Sequence, residues 1–511
     1  MKNNLIKFFK NSSIYVIGML LVRASSLITM PILTRFLTKD EYGIISITNS
    51  IGAFLLTLFG MGSAEYILRH YWERDGENRK KLFGSFFLIL MLFPLIVLVI
   101  PLTLFGKTLF GYLFSNVDFY PYIFFTIWTS WLLNLNILPY EFMKIREQSS
   151  KYTTIALSST FSNILLTVIL VVIYSYGAFG PILSKFILSI VFGIFFLYFT
   201  IKEINIFFSL RDVQSFFSYN SPLLVALICG SLLNHVDIII LQKYVPLHDV
   251  ALYSVGVSIA GLIPFIVRAI NLGWAPFFYE NVFKSEKKES SQLVSFSIDY
   301  ILLGVIFLIT GIIMMRQEII LVLASNEYLS VSNIMIILII GNFFISMRGF
   351  GSRGILVAGK NMYITYSSIV GVILNLCLNL YFIPKYGMYG AAYTTTFCSI
   401  LMYTYLHLIS QRFYMIDFHY LRIVKLIIAA IITVAIWHIF DFILFNFLFN
   451  YILLPGSFVF FLTKFFIKGI VLITLFPGFL LLSNYFYDNE KKFLNELISS
   501  KILRKKSSAT D

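Results

Sequence analysis

The sequence predicts an all-α polytopic membrane protein, and three observations carry that prediction. The chain has 511 residues, of which 59% are hydrophobic and only 13% are charged. Apolar stretches of about eighteen residues or more recur along the chain, and each is long enough to cross a hydrocarbon core about 30 Å thick. The charged residues are concentrated in the short segments between these stretches. Together these features indicate a bundle of transmembrane helices.

Fourteen spans are predicted. The first begins within MKNNLIKFFKNSSIYVIGMLL, which has a basic start but no small-residue cleavage site. Its apolar run continues to Phe36, too far for a signal peptide, so we expect a retained helix. The predicted spans lie at 12–36, 42–68, 82–104, 121–143, 152–175, 178–200, 218–243, 249–275, 292–315, 331–347, 362–383, 387–409, 423–446 and 463–487.

The distribution of lysine and arginine predicts how the chain is oriented. Cytoplasmic loops of membrane proteins carry an excess of these residues. One set of alternating loops, together with both termini, holds most of the basic residues between the spans. The opposite set holds Lys39, Lys107, Lys243, Arg316 and Lys385. We therefore expect a multi-pass protein of the cytoplasmic membrane with both termini in the cytoplasm.

Two motifs recur at nearly the same offset, which indicates an internal duplication. YGAFG at 176–180 matches YGMYG at 386–390, which lies 210 residues later. LTRFLTKDEYGIIS at 33–46 matches LQKYVPLHDVALYS at 241–254, which lies 208 residues later. The period covers six predicted spans, so both copies cross the membrane in the same direction, as in transporters with parallel repeats. Glycine suits the YGxxG turns because it permits backbone conformations and close approaches that a Cβ would prevent.

The duplication predicts the domain organisation. An N-terminal six-helix lobe is expected at 12–200 and a C-terminal six-helix lobe at 218–409, joined by a cytoplasmic linker at 201–217. Two additional helices follow within 423–487. A basic cytoplasmic tail is expected at 488–511.

Charged side chains inside the predicted spans are the candidate site residues. A charge at the centre of a span costs about 2.5–3.5 kcal/mol on insertion scales, so such residues usually face a cavity. The cations Arg23, Arg268 and Lys185 would attract an anion, and arginine matches the oxygens of a phosphate. Lys185 could instead extend to the membrane surface.

Acidic and amide side chains in the spans are candidates for ion coupling and for glycan contacts. Asp237, Asp299 and Glu65 could couple transport to a proton or Na⁺ gradient. Asp237 could equally form a structural pair with a cation on a neighbouring helix, and Glu65 could reach the membrane surface. The amides of Asn49, Asn234 and Asn271 could bind sugar hydroxyls or join helices.

Several other classes of protein are disfavoured by the sequence. The net charge of +14 resides in the loops that orient the helices, so it does not indicate nucleic-acid binding. The three cysteines fall inside apolar segments and predict neither disulfides nor a metal site. A Walker A motif, GxxxxGK[ST], does not occur, which argues against direct use of ATP. We expect no cofactor.

Three segments resemble the bacterial polysaccharide flippases, a branch of the multidrug/oligosaccharidyl-lipid/polysaccharide exporter superfamily. NSSIYVIGMLLVRASSLITMPILTRFLTKDEYGIISI resembles their first helix and the following turn. VDIIILQKYVPLHDVALYSVG resembles their seventh helix and its turn, and FIPKYGMYGAAYTTT resembles their eleventh-to-twelfth-helix turn. The resemblance covers about residues 10–410.

This resemblance implies a flippase that moves an undecaprenyl-pyrophosphate-linked oligosaccharide repeat unit from the inner to the outer leaflet. It implies two six-helix lobes in a V around a cationic cavity. It assigns the embedded cation of the first helix to Arg23 and the acid of the seventh helix to Asp237. The expected partners are the lipid-linked glycan, membrane lipids and polysaccharide polymerase or chain-length machinery. The alternatives are a drug/cation antiporter, a membrane polymerase or glycosyltransferase, and a scaffold without transport.

Overall fold

The computed structural model describes residues 28–114, 116–284, 287–443 and 458–487, together with Gly18, Leu21, Val22, Ser25 and Glu490. Helices account for all regular structure in these residues. Eleven helical segments among them are long and apolar enough to cross a membrane. The prediction of an all-α membrane fold is thus confirmed. Part of predicted span 1, including Arg23, lies outside the described residues, and the count of fourteen spans stays a prediction.

The helices follow the chain in the order of the predicted spans. They are α1 (Lys39–Gly60), α2 (Ser63–His70), α3 (Gly76–Pro94), α4 (Ile100–Leu113), α5 (Phe124–Leu132), α6 (Ile137–Ile145), α7 (Ser149–Val168), α8 (Phe179–Glu203), α9 (Leu210–Tyr244), α10 (Leu247–Ala260), α11 (Leu262–Lys284), α12 (Lys287–Met314), α13 (Arg316–Leu323), α14 (Ser332–Gly351), α15 (Arg353–Val357), α16 (Met362–Phe413), α17 (Tyr420–Phe440) and α18 (Phe458–Leu482). Turns of π-helix extend α3 and α7, and a 3₁₀ turn, Leu133–Asn136, separates α5 from α6.

Both YGxxG motifs place their first glycine at a positive φ. Gly177 and Gly387 have φ of +55° and +54°, a region that residues with a Cβ rarely occupy. A Cβ on Gly180 would lie 2.9 Å from the Val171 side chain, and one on Gly390 would lie 2.5 Å from the Phe382 carbonyl oxygen. The first glycine therefore supplies a left-handed turn and the second permits a close approach. In the second copy this turn is the kink at Gly387 within α16, where two spans were predicted.

Contacts divide the chain into two compact units. The first unit comprises residues 1–264 and 320–414, and the second comprises 265–319 and 415–511. The lobes inferred from the duplication stay a prediction.

Within the first unit, the linker after α8 binds to α3. The Asn205 amide donates to the Lys80 carbonyl at 3.1 Å, and Ser85 Oγ donates to the Phe207 carbonyl at 2.5 Å.

Helix α1 begins with a capping box. Thr38 Oγ1 accepts a hydrogen bond from the Glu41 amide at 3.3 Å, and Glu41 Oε2 accepts one from the Thr38 amide at 2.9 Å. This reciprocal pair satisfies amides that would otherwise be left unbonded at the helix start. The TKDE letters of the repeated segment thus fix where α1 begins.

The first turns of α1 pack directly against the α9–α10 corner and against the 3₁₀ turn Asn326–Val331 that precedes α14, and we call this packing the closing contact. A Cβ on Gly43 would lie 2.4 Å from the Leu247 carbonyl oxygen, so the two backbones touch. Tyr42 and Tyr328 meet edge to face at 6.0 Å and are both buried. Lys39 pairs with Glu327 at 3.7 Å. The closing contact therefore joins the two copies of the repeated segment, 33–46 and 241–254.

Two ion-pair clusters join the additional helices to α12 and α13 within the second unit. In one cluster, Asp299 Oδ2 lies 2.7 Å from His419 Nδ1 and 3.2 Å from Arg422 Nη1, and Arg422 Nη2 bonds Glu490 Oε2 at 2.7 Å. Burial alone would raise the pKa of Glu490, but hydrogen bonds from Arg422, Tyr300 and the Tyr487 amide hold that pKa below its usual value. This cluster ties the start of α17 to α12.

The second cluster contains a fully buried ion pair. Lys468 Nζ lies 2.8 and 2.7 Å from the two carboxylate oxygens of Glu318. Only 3% and 4% of these side chains are exposed. The pair fastens α18 to the start of α13.

Candidate functional site

A polar cavity lies among helices α1, α5, α7 and α8, and we call it the Lys185 cavity. It encloses about 290 Å³. Its polar lining consists of amide, hydroxyl and ammonium groups, contributed by Thr48, Asn49, Thr126, Thr129, Ser130, Asn136, Ser159, Asn163, Lys185 and Ser189. Apolar side chains, including Leu56, Leu133 and Phe192, complete the wall. Among the described residues that line it, Lys185 is the one charged side chain.

Lys185 is held in the cavity by a neutral partner. Its Nζ donates a hydrogen bond to Asn49 Oδ1 of α1 at 2.5 Å. An ammonium group within a membrane helix is costly unless it is hydrated or paired. Within the described residues no carboxylate lies within ion-pair distance of Lys185. The cavity therefore presents a positive charge that an anion could neutralise.

Two polar atoms in the cavity wall have no hydrogen-bond partner among the described residues. They are Thr129 Oγ1 and Asn136 Oδ1. Thr129 is 7% exposed, and Asn136 belongs to the 3₁₀ turn that follows α5. A buried polar group without a partner costs about 1–3 kcal/mol. Both atoms are buried within the wall, so they are not contacts for a molecule in the cavity.

A second polar cluster surrounds Asp237 on α9. Asp237 Oδ2 accepts from Tyr253 Oη at 3.0 Å and from Thr395 Oγ1 at 2.5 Å, and Oδ1 accepts from Asn379 Nδ2 at 2.6 Å. Asn375 and Thr394 extend the cluster by bonding Asn379. Asp237 is 6% exposed and Asn379 is fully buried. The carboxylate is therefore surrounded by neutral donors, and within the described residues it has no cationic partner.

The structure brings some of the predicted residues together and separates others. Lys185 and Asn49 share the Lys185 cavity. Asn234 is exposed and bonds the Gly230 carbonyl of its own helix at 2.9 Å, so it does not join the Asp237 cluster. Glu65 is exposed on the first turn of α2, and Asp299 lies in the ion-pair cluster with His419 and Arg422.

The remaining predicted residues lie outside these sites. Arg268 is exposed and Asn271 is half-buried on α11, in the second unit. The sequence did not single out Tyr253 or Thr395. It also did not single out the pair of Glu318 and Lys468. The signal for Lys468 was present, because it interrupts the apolar run LTKFFIKGIVLITLF. Tyr253 and Thr395 carried no such signal, since hydroxyl groups are common in transmembrane helices.

Apolar helices that enclose a polar, lysine-containing cavity have the architecture of multi-pass membrane transporters. The family model described as polysaccharide biosynthesis protein matches residues 8–282, which is more than half of the chain. The chain therefore belongs to the polysaccharide biosynthesis protein family. The family resemblance noted in the sequence is confirmed.

Two curated relatives match part of the chain. An uncharacterised membrane protein of Methanocaldococcus jannaschii is 23% identical over 242 residues, covering 45% of this chain and 47% of the relative. A probable low-salt glycan biosynthesis flippase of Haloferax volcanii is 24% identical over 221 residues, covering 43% of this chain and 47% of the relative. The chain thus spans about half the length of the curated relatives it matches.

Solved structures share the fold at low sequence identity. The lipid II flippase MurJ in an inward closed conformation superposes with a TM-score of 0.71 and 17% identity, covering 91% of this chain and 97% of that one. An inward-facing multidrug resistance MATE family transporter of the MOP superfamily gives a TM-score of 0.62 and 13% identity, covering 79% and 95%. These similarities show that the chain shares the fold of these two structures.

Proposed function

We propose that this protein is a flippase that moves undecaprenyl-pyrophosphate-linked oligosaccharide repeat units from the inner to the outer leaflet of the cytoplasmic membrane. Membership of the polysaccharide biosynthesis protein family supports a role in surface polysaccharide assembly. The match to a probable glycan biosynthesis flippase and the fold shared with a lipid II flippase support a lipid-linked substrate. The polysaccharide polymerase and chain-length machinery are the proposed downstream partners.

The Lys185 cavity is the observation that carries this proposal. Among its described lining residues, Lys185 is cationic and the others are neutral. Their amide and hydroxyl groups suit the hydroxyl groups of a sugar. A drug/cation antiporter needs an acidic cavity for its cargo, and no described lining residue is acidic. The cavity therefore favours a glycan over a cationic drug. Arg23 and Arg268 are the proposed ligands of the pyrophosphate.

Alternating access requires a contact that opens and closes, and the closing contact suits this role. It brings α1 against the α9–α10 corner through backbone contact at Gly43 and a small number of polar pairs. In the orientation favoured by the lysine and arginine distribution, this contact closes the outer side of the membrane. Opening it would release the glycan outward.

Asp237 is the proposed coupling residue. A buried carboxylate surrounded by neutral donors can bind a proton or a Na⁺ ion when the membrane gradient supplies one. Asp299 already pairs with His419 and Arg422, and Glu65 is exposed, so neither offers a comparable buried acceptor. We therefore assign Asp299 a structural role in this proposal.

Asp237→Asn is expected to uncouple transport from the ion gradient. The amide keeps the shape of the side chain but cannot take up a proton. It also has no negative charge to balance that of a bound Na⁺ ion. Transport measured with imposed proton and Na⁺ gradients should lose its response to whichever gradient drives the wild type. Asp75→Asn, at the exposed start of α3, is the matched control and should keep that response. An unchanged response in Asp237→Asn would refute the coupling assignment.

Lys185→Met is expected to reduce glycan export by about 10- to 100-fold, because a hydrogen bond to a charged group contributes about 1.5–3 kcal/mol. Surface polymer and the amount of protein in the membrane should be measured together. Lys385→Met is the matched control, since Lys385 lies over the ring of Tyr381 and does not line the cavity. Normal export by Lys185→Met would contradict the role given to the cavity.

The test of the proposed function is the leaflet distribution of lipid-linked saccharide after deletion of the gene. Intermediates trapped on the cytoplasmic side, with surface polymer lost, are the expected result. Single units that reach the outer leaflet without being joined would indicate a polymerase instead. Unchanged amounts in both leaflets would indicate a small-molecule exporter.

A further inference from the structure

We infer that the Lys185 cavity is a subsite for one carboxylate-bearing sugar, such as a uronic acid, within the transported glycan. This inference rests on the proposed flippase function and adds the chemical class of the substrate. It means that the anion recognised at Lys185 is a carboxylate of the glycan and not the lipid pyrophosphate. Four features of the cavity support it: its size, its lining, its charge and its depth.

The size of the cavity suits a single sugar residue. Its volume of about 290 Å³ corresponds to roughly ten water molecules at about 30 Å³ each. This is the space of one sugar ring with its substituents. A longer piece of glycan must extend beyond the cavity, so the cavity selects one residue of the repeat unit rather than the whole unit.

The lining matches the two kinds of surface that a sugar ring presents. Hydroxyl and amide groups line one part of the wall, and Leu56, Leu133 and Phe192 supply apolar surface for the C–H face of a ring. The hydroxyl and amide groups of the lining would bond the hydroxyl groups of the sugar.

The charge of the cavity suits one carboxylate. Lys185 supplies a single ammonium group, and the other described polar residues of the lining are neutral. A carboxylate carries one negative charge and would neutralise that ammonium. A pyrophosphate carries more charge and is matched best by several cations, arginine above all. A neutral sugar would leave the ammonium without a counter-ion.

The depth of Lys185 places it far from the lipid headgroup on the loading side. Lys185 lies six residues after the start of α8 at Phe179 and eighteen residues before its end at Glu203. At about 1.5 Å per residue these distances are about 9 Å and about 27 Å. In the orientation favoured by the basic loops, Glu203 marks the cytoplasmic end. When the pyrophosphate lies on the cytoplasmic side of Lys185, a sugar further along the glycan can reach this lysine.

The inference is tested by calorimetric titration of the purified full chain with sodium glucuronate, glucose and inorganic pyrophosphate. Glucuronate is expected to bind about tenfold or more tightly than glucose, because it adds a charged hydrogen bond at Lys185. Lys185→Met should remove this preference, while Lys185→Arg and the control Lys385→Met should keep it. Ser159→Ala should weaken glucuronate and glucose alike, since it removes a hydroxyl group of the lining and no charge.

Three results would overturn the inference. They are equal binding of glucose and glucuronate, no binding of either sugar, and Lys185-dependent binding of pyrophosphate, which would make the cavity a headgroup site. The proposed function is judged separately by the leaflet distribution of lipid-linked saccharide. If that distribution changes as expected while glucuronate fails to bind, the flippase function stands and the acidic-sugar subsite does not.

Discussion

Gly43→Ala is expected to abolish transport, because the added methyl group would prevent the closing contact from forming. The new Cβ would lie 2.4 Å from the backbone oxygen of Leu247, and a backbone atom cannot move aside as a flexible side chain can. In an ordinary helical position the same change would be stabilising by up to about 1 kcal/mol. The helical preference of alanine would thus stabilise the variant, whereas the collision with Leu247 is predicted to abolish its function.

The state of the closing contact can be measured by labelling a cysteine placed within it. Tyr328→Cys, in a chain whose three native cysteines are replaced by serine, puts a thiol at a position that is 1% exposed. A membrane-impermeant maleimide should react slowly with this thiol, and rapidly when Gly43→Ala is added. Gly230→Ala is the matched control, because nothing lies within 4 Å of a Cβ built there. Full transport by Gly43→Ala with a protected thiol would contradict the role of the contact.

Lys468→Met is expected to destabilise the protein by about 3–5 kcal/mol, the usual cost of leaving one member of a buried ion pair without its partner. Glu318 would keep its carboxylate at 4% exposure without the Lys468 ammonium that now lies 2.7 Å away. The measurement is the thermal midpoint of the purified protein in detergent. A clear decrease is expected.

The double variant Lys468→Met with Glu318→Gln should recover most of the lost stability, since it removes the uncompensated charge. Lys464→Met provides a comparison within the same helix. Lys464 pairs with Asp441 at 2.7 Å, but these side chains are 17% and 29% exposed, so water can replace the lost partner and a smaller decrease is expected. A midpoint unchanged in Lys468→Met, or a double variant less stable than the single one, would contradict the account of this pair.

The fold could be predicted from the sequence because the strongest signals are local or repeated. Long apolar runs identify membrane helices whatever their neighbours are. The YGxxG motifs were informative because the positive φ of Gly177 and Gly387 is a requirement of the backbone itself. The TKDE residues at the start of α1 likewise form their hydrogen bonds within one turn of helix. Each of these features depends on residues adjacent in the chain.

The site could be predicted only in part because it depends on which helices meet. Lys185 and Asn49 were identified separately as polar residues within predicted spans, but their hydrogen bond joins α8 to α1, and no spacing in the sequence specifies that pairing. The Asp237 cluster shows the same limit. Asn234 lies three residues from Asp237, yet it bonds Gly230 of its own helix, whereas the partners of Asp237, which are Tyr253, Asn379 and Thr395, come from α10 and α16.

The central claim is that this chain translocates lipid-linked glycan across a membrane, and reconstitution tests it most directly. The purified full chain is placed in liposomes that contain an undecaprenyl-pyrophosphate-linked saccharide, and the fraction of saccharide accessible to an external glycan-modifying enzyme is followed over time. The account predicts that saccharide from the inner leaflet becomes accessible with the wild type and not with Gly43→Ala. Accessibility that stays at the value of protein-free liposomes, under imposed proton and Na⁺ gradients, would contradict it.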